Sequence, residues 1–178
     1  MADLTPWTWI LAAMASIEAM PWWQETGIDR TPRLTHGIPL GFLDECDCDE
    51  SPFGQVLVTA GEVFYSGERF PESDLIASRI STCSDTWATK ITIDYARCRP
   101  VVNSRGENPS IAERYEFASG LYADGMAIWS ALHCAVPGWR QEFGSVIARG
   151  WSPITRDLGP CAGFSFEFTG KVKSCEEC

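Results

Sequence analysis

The sequence predicts an α+β fold: a four-stranded antiparallel or mixed sheet packed by one long helix and one N-terminal helix. Three observations carry this expectation. Residues 86–97 and 163–172 alternate apolar and polar side chains with the period of a strand that has one buried face. A capped segment starting near Ser110 keeps an apolar stripe at helical spacing for about seven turns. The chain has 178 residues, 45% hydrophobic and 21% charged, which fills one ordinary domain and can close its own core. The predicted order is α–arm–β–β–α–β–β, one domain over residues 1–178, with helices against a sheet.

The first element is a helix over residues 5–20. Thr5 suits the N-cap and Pro6 the first helical position, where a missing N–H costs nothing. Trp7, Leu11, Met14 and Ile17 recur on one face, and Pro21 stops the run. The apolar stretch Trp9–Ala15 ends in an Ala-x-Ala pattern like that of a secretory signal. It is preceded by Asp3 and by no Lys or Arg, so a helix is the expectation. Residues 21–52 then carry Pro21, Gly27, Pro32, Gly37, Pro39, Gly41 and Pro52, which reads as a long irregular arm.

Strands are expected at 55–65, with Gly61 a bulge, and at 86–97, where Trp87, Thr89, Ile91, Ile93 and Tyr95 share a face. A weak extra helix is expected at 72–81. The long helix opens with a capping box, Ser110 and Glu113, behind Pro109. Its stripe is Ile111, Tyr115, Ala118, Tyr122, Gly125, Trp129, Leu132 and Val136, and Pro137-Gly138 is expected to end it. Gly120 and Gly125 each cost about 1 kcal/mol relative to Ala, which implies close approach of a neighbouring element. A short strand at 145–151 and one at 163–172, with Phe164, Phe166 and Phe168 inward, complete the sheet.

The formal net charge is −10, and it is uneven. Residues 1–52 hold nine acids and two bases, and the remainder fifteen and twelve. An acidic extension on a near-neutral core lacks the clustered Lys and Arg that displace phosphate counterions, so a sequence-specific grip on DNA is disfavoured. No stretch approaches the roughly 20 apolar residues that span a bilayer, so no membrane partner is expected.

Catalytic signatures are missing from the sequence. The two histidines, His36 in the arm and His133 late in the long helix, adjoin no Gly-x-Ser-x-Gly, His-Glu-x-x-His or Gly-rich phosphate motif. The eight cysteines are richer. Cys46-x-Cys48, set among five acids, and Cys175-x-x-Cys178 are two close thiol pairs. Brought together, the four could hold a structural zinc and tie the arm to the C-terminus. The same pairs could instead be disulfides, as could pairs among Cys83, Cys98, Cys134 and Cys161, and reduced thiols are the third alternative. Trp7, Trp9, Trp22 and Trp23 crowd one short helix and its exit with more aromatic surface than one face can bury. They are candidate subunit-interface anchors.

Several segments carry a family likeness. A strand enters Gly67-Glu68-Arg69-Phe70-Pro71-Glu72-Ser73-Asp74. Another ends in Ile93-Asp94-Tyr95-Ala96-Arg97-Cys98-Arg99-Pro100. After the long helix come Gly150-Trp151-Ser152-Pro153-Ile154 and Gly159-Pro160-Cys161-Ala162-Gly163-Phe164-Ser165-Phe166. With the leading helix, residues 54–175 resemble the small tail terminator (tail-completion) proteins of long-tailed actinobacterial bacteriophages. The resemblance implies a virion protein of the tail and neck, assembled in the host cytoplasm, with no catalytic residue and no cofactor. It would form a homo-oligomeric ring, typically a hexamer. That ring would cap the head-proximal end of the tail tube, stop polymerisation of the major tail protein and dock onto the head–tail stopper or connector. DNA would pass through its lumen without specific binding, which suits an acidic chain. The alternatives are another head–tail connector ring, a stopper or adaptor, and a small disulfide-containing enzyme.

Overall fold

The computed structural model describes residues 5–20, 33–34, 55–66, 70–73, 87–102, 104–154 and 161–172. In chain order the elements are α1 (Pro6–Glu18), β1 (Arg33–Leu34), β2 (Gln55–Tyr65), β3 (Trp87–Cys98), α2 (Ile111–Phe143), β4 (Val146–Pro153) and β5 (Cys161–Val172). The fold is α+β. β2, β3, β5 and β4 form an antiparallel sheet in that spatial order, and β1 adds a short parallel edge beside β2. The expected irregular arm therefore contributes a strand at 33–34. The weak helix expected at 72–81 lies mostly outside the described residues.

β3 and β5 form the centre of the sheet, paired without a break from Trp87↔Val172 to Cys98↔Cys161. Both helices pack on one face, over Ile91, Ile93, Phe166 and Phe168. The other face is polar midway, where Lys90 and Glu167 pair across the strands at 2.6 Å. It is also buried at one end, where Leu57, Ala96 and Cys161 form a second small apolar cluster. One-sided cover of the sheet is thus incomplete. The β2 register shifts between Ala60 and Val63, the bulge expected at Gly61. A second bulge between Ala148 and Gly150 turns Arg149 out of the ladder. Its guanidinium then reaches Glu72 Oε1 at 2.7 Å and the Pro71 carbonyl at 3.0 Å.

Two helix expectations are corrected. α1 buries Trp9, Ile10, Ala13 and Ile17; of the expected stripe Ile17 is buried and Met14 half-buried against the core, while Trp7 and Leu11 are exposed. Both stripes have helical spacing. The Trp9 stripe wins because the indole N–H donates to the Lys171 carbonyl at 2.8 Å while the ring lies over Gly170. α2 runs through Pro137 and Gly138 to Phe143, one and a half turns beyond the expected stop. An interior proline costs about 3 kcal/mol, but Pro137 and Gly138 face solvent while Trp139 and Phe143 beyond them are buried against Trp9. Burying two large aromatics offsets that cost at about 1.5–3 kcal/mol each. Gly144, at φ +92°, is the actual stop, and its N–H donates to the Arg140 carbonyl.

Candidate subunit-contact surface

The root of the candidate surface is a polar lock between sheet and helix. Tyr95 and Arg97 share the helix-facing side of β3 and meet Asp124 on α2. The Tyr95 hydroxyl and Arg97 Nη1 both donate to Asp124 Oδ2, at 2.7 and 2.8 Å. The guanidinium lies over the Phe117 ring at 5.7 Å. Gly120 makes room for it, since a Cβ there would sit 3.1 Å from Nη1. One turn on, Gly125 lets Trp151 and Phe164 press against the helix backbone; a Cβ would meet them at 2.9 and 3.0 Å. The two glycines do serve close approach, by side chains of the sheet. Buried Arg97 Nε makes no hydrogen bond, a desolvation cost that the ion pair and ring contact offset.

Beyond this lock the helix outruns the sheet. At 1.5 Å per residue, the 33 residues of α2 span about 50 Å, against about 40 Å for the 12 residues of β3. Burial begins at Leu121, and residues 111–120 are exposed apart from half-buried Phe117 and Gly120. The expected core stripe thus fails in its first half. Ile111 is 87% and Tyr115 75% exposed, followed by Tyr122 at 54% and Met126 at 52%. At 100° per residue these four fall within about 60° of one another, a continuous apolar strip beside the core-facing side.

The projecting end is rigidly begun. The Glu113 N–H donates to Ser110 Oγ at 3.2 Å, and the Ser110 N–H donates to Glu113 Oε2 at 2.7 Å, closing the expected capping box. Hydrogen bonds from the Ser110 side chain, then from its backbone, hold the Glu113 carboxyl below its ordinary value of 4.5. Arg114 Nε donates to the Pro109 carbonyl at 3.0 Å and braces the same turn.

The proposed interface tryptophans separate. Trp7 is 39% exposed, beside exposed Leu11. Trp9 is 1% exposed and belongs to the core, so it is not an interface residue. Trp22, Trp23 and His36 lie outside the described residues, as do the candidate zinc or disulfide cysteines Cys46, Cys48, Cys175 and Cys178. His133 is exposed, its ring 5.6 Å from that of Trp129, and Cys134 beside it is a free exposed thiol. Cys98 and Cys161 are each disulfide-bonded.

Neither a protein-family model nor a curated protein matches the chain. Among the described residues, no group of three or more His, Cys, Asp or Glu is placed to hold a metal, and no helix is long and apolar enough to cross a membrane. Sequence reasoning missed the Tyr95–Arg97–Asp124 lock. Its signal was available: Asp124 is an acid adjoining the core quadrant of α2, next to Leu121 and Gly125, and so needed a partner.

Proposed function

We propose that the chain is a structural, non-enzymatic subunit of a phage tail terminator ring, most simply a hexamer. The observation that carries this reading is the Ile111–Tyr115–Tyr122–Met126 strip on a helix that outruns its own sheet. Apolar area of this kind, held on a capped and rigid element, is suited to contact with another protein, because little ordering entropy opposes docking. In a ring each α2 projection would pack on the neighbouring subunit. The net charge of −10 suits a lumen through which DNA slides. On this reading the partners are further copies of the chain, the major tail protein below and the stopper or connector above. The protein would belong to the virion tail and neck after assembly in the host cytoplasm. A different head–tail connector ring would use the same strip but would not act on tubes.

The test is negative-stain microscopy of major tail protein polymerising with and without this chain. The reading expects ring density at one end of each tube and arrested elongation. Tubes that lengthen unchanged and carry no terminal ring would overturn it.

A further inference from the structure

A strip such as Ile111–Tyr115–Tyr122–Met126 cannot build a ring by packing on the same strip of a second copy. A contact between identical patches is two-fold and closes at two subunits. A ring made by one repeated contact needs two different surfaces that fit each other, so the strip requires a receiving surface elsewhere on the same chain.

The turn from α2 into β4 offers one. A groove of about 430 Å³ is lined there by Phe70, Arg140, Gly144, Ser145, Val146 and Ile147. Phe70, Val146 and Ile147 give it an apolar floor, and two cations border it. Arg140 is exposed and anchored through Nε, which donates to the Val146 carbonyl at 3.1 Å. Lys171 Nζ lies 5.3 Å from the centre of the Phe70 ring. A second groove, of about 250 Å³, runs past Trp151, Ser152 and Ser165. Its charged residues are already paired, Arg149 with Glu72 and Glu167 with Lys90.

Strip and larger groove sit at opposite ends of one helix. Tyr115 and Arg140 are 25 residues apart on α2, about 38 Å at 1.5 Å per residue. A strip therefore cannot fill the groove of its own chain; one that occupies it comes from another copy. The charges match as well. Exposed Glu116 lies about 100° round α2 from Tyr115 and borders the strip. Arg114, on the other border, is turned back with its Nε on the Pro109 carbonyl. An apolar strip edged by a carboxylate thus faces an apolar floor edged by a guanidinium and an ammonium.

We infer that the α2 strip of each copy seats in the α2–β4 groove of the next, head to tail, with Glu116 facing Arg140. This rests on the ring reading and adds the receiving surface to it. A contact of this kind passes from copy to copy until the rotation closes it.

Native mass spectrometry of paired variants tests the contact, with far-UV spectra and thermal midpoints checking the fold of each. Tyr115→Glu disables the strip, and Ile147→Glu, at a half-buried position, disables the groove. Each alone is expected to be monomeric. Mixed, they should form a one-to-one heterodimer and nothing larger. Only the intact strip of the Ile147→Glu chain and the intact groove of the Tyr115→Glu chain remain to meet. Charge reversal gives a second readout. Glu116→Arg and Arg140→Glu should each raise the concentration needed for assembly by about tenfold or more, and the double variant should recover most of that loss. Because the double variant also lacks the Arg140 bond to Val146, its recovery cannot be an effect on folding. Three results would overturn the head-to-tail contact and leave the ring reading standing. They are an Ile147→Glu chain that assembles like wild type, a double reversal no better than its worse single, and folded variants that form no heterodimer well above the concentration at which wild type assembles. A wild-type chain that stays monomeric, alone and with tail tubes, refutes the ring reading and this contact with it.

Discussion

Gly170→Ala probes the seat of α1 on the sheet. An added Cβ would lie 2.6, 2.8 and 2.9 Å from three atoms of the Trp9 indole, where comfortable carbon contacts are about 3.5–4.0 Å. The ring would have to withdraw by roughly 1 Å. It has nowhere to go, being 1% exposed and set against Trp139 and Phe143 with ring centroids 6.3 and 5.1 Å away. Withdrawal also stretches the 2.8 Å bond from the indole N–H to the Lys171 carbonyl. Overpacking costs about 1–3 kcal/mol and the weakened hydrogen bond about 1 kcal/mol, while replacing a strand glycine returns about 0.5–1 kcal/mol. The expected net loss is about 1–3.5 kcal/mol. Trp9→Ala alone should cost about 3–5 kcal/mol. With the ring gone there is nothing to clash with, so adding Gly170→Ala to Trp9→Ala should be neutral or slightly stabilising. Urea unfolding of the four proteins at one fixed concentration, followed by circular dichroism, measures the cycle. Additivity within about 0.5 kcal/mol would show that Trp9 does not rest on Gly170.

Asp124→Asn removes the charge that Arg97 faces and should destabilise by about 1–3 kcal/mol, discounted for the partial exposure of the pair; denaturant midpoints with an unchanged m-value check it. Gly163→Ala should be harsher than Gly170→Ala, because its Cβ would run into the Tyr95 carbonyl, which is backbone in the sheet centre; loss of the cooperative thermal transition or a much lower midpoint is expected. The capping box gives a pH signature. Because the Glu113 carboxyl is held below 4.5 in the folded chain, its contribution is complete above that value and is lost as pH falls through the lowered pKa. Amide exchange over residues 111–116 should therefore quicken, relative to the rest of α2, below about pH 4.5. Ser110→Ala should abolish that pH dependence, and an unchanged profile in the variant would count against the box.

The strands were legible because their cores are local and regular: Phe164, Phe166 and Phe168 alternate with Ser165 and Glu167, and burial follows that alternation. The capping box was legible because its partners are three residues apart. What escaped depends on distant chain. Trp7 and Trp9 are equivalent within α1, and only a carbonyl 162 residues away chooses between them. Pro137 reads as a helix end because its local cost is visible in the sequence, while the burial of Trp139 and Phe143 that offsets it is tertiary. The α2 stripe has one period throughout, yet its first half meets no sheet, since a sequence does not reveal where the strands beneath a helix stop. Of the candidate site, Ile111, Tyr115 and Tyr122 were named, but as core. The meeting of Cys98 with Cys161 follows from β3–β5 register, which no spacing of cysteines encodes.

If the α2 projection is a contact between copies of this chain, as proposed, native mass spectrometry of the full chain at micromolar concentration will reveal it. The expected species is a closed oligomer of defined stoichiometry, most simply six copies, that collapses to monomer in Tyr115→Glu without a change in the monomer's far-UV spectrum. A wild-type chain that stays monomeric up to high concentration, alone and with tail tubes, would contradict it, as would an oligomer indifferent to charges placed at both Ile111 and Tyr115.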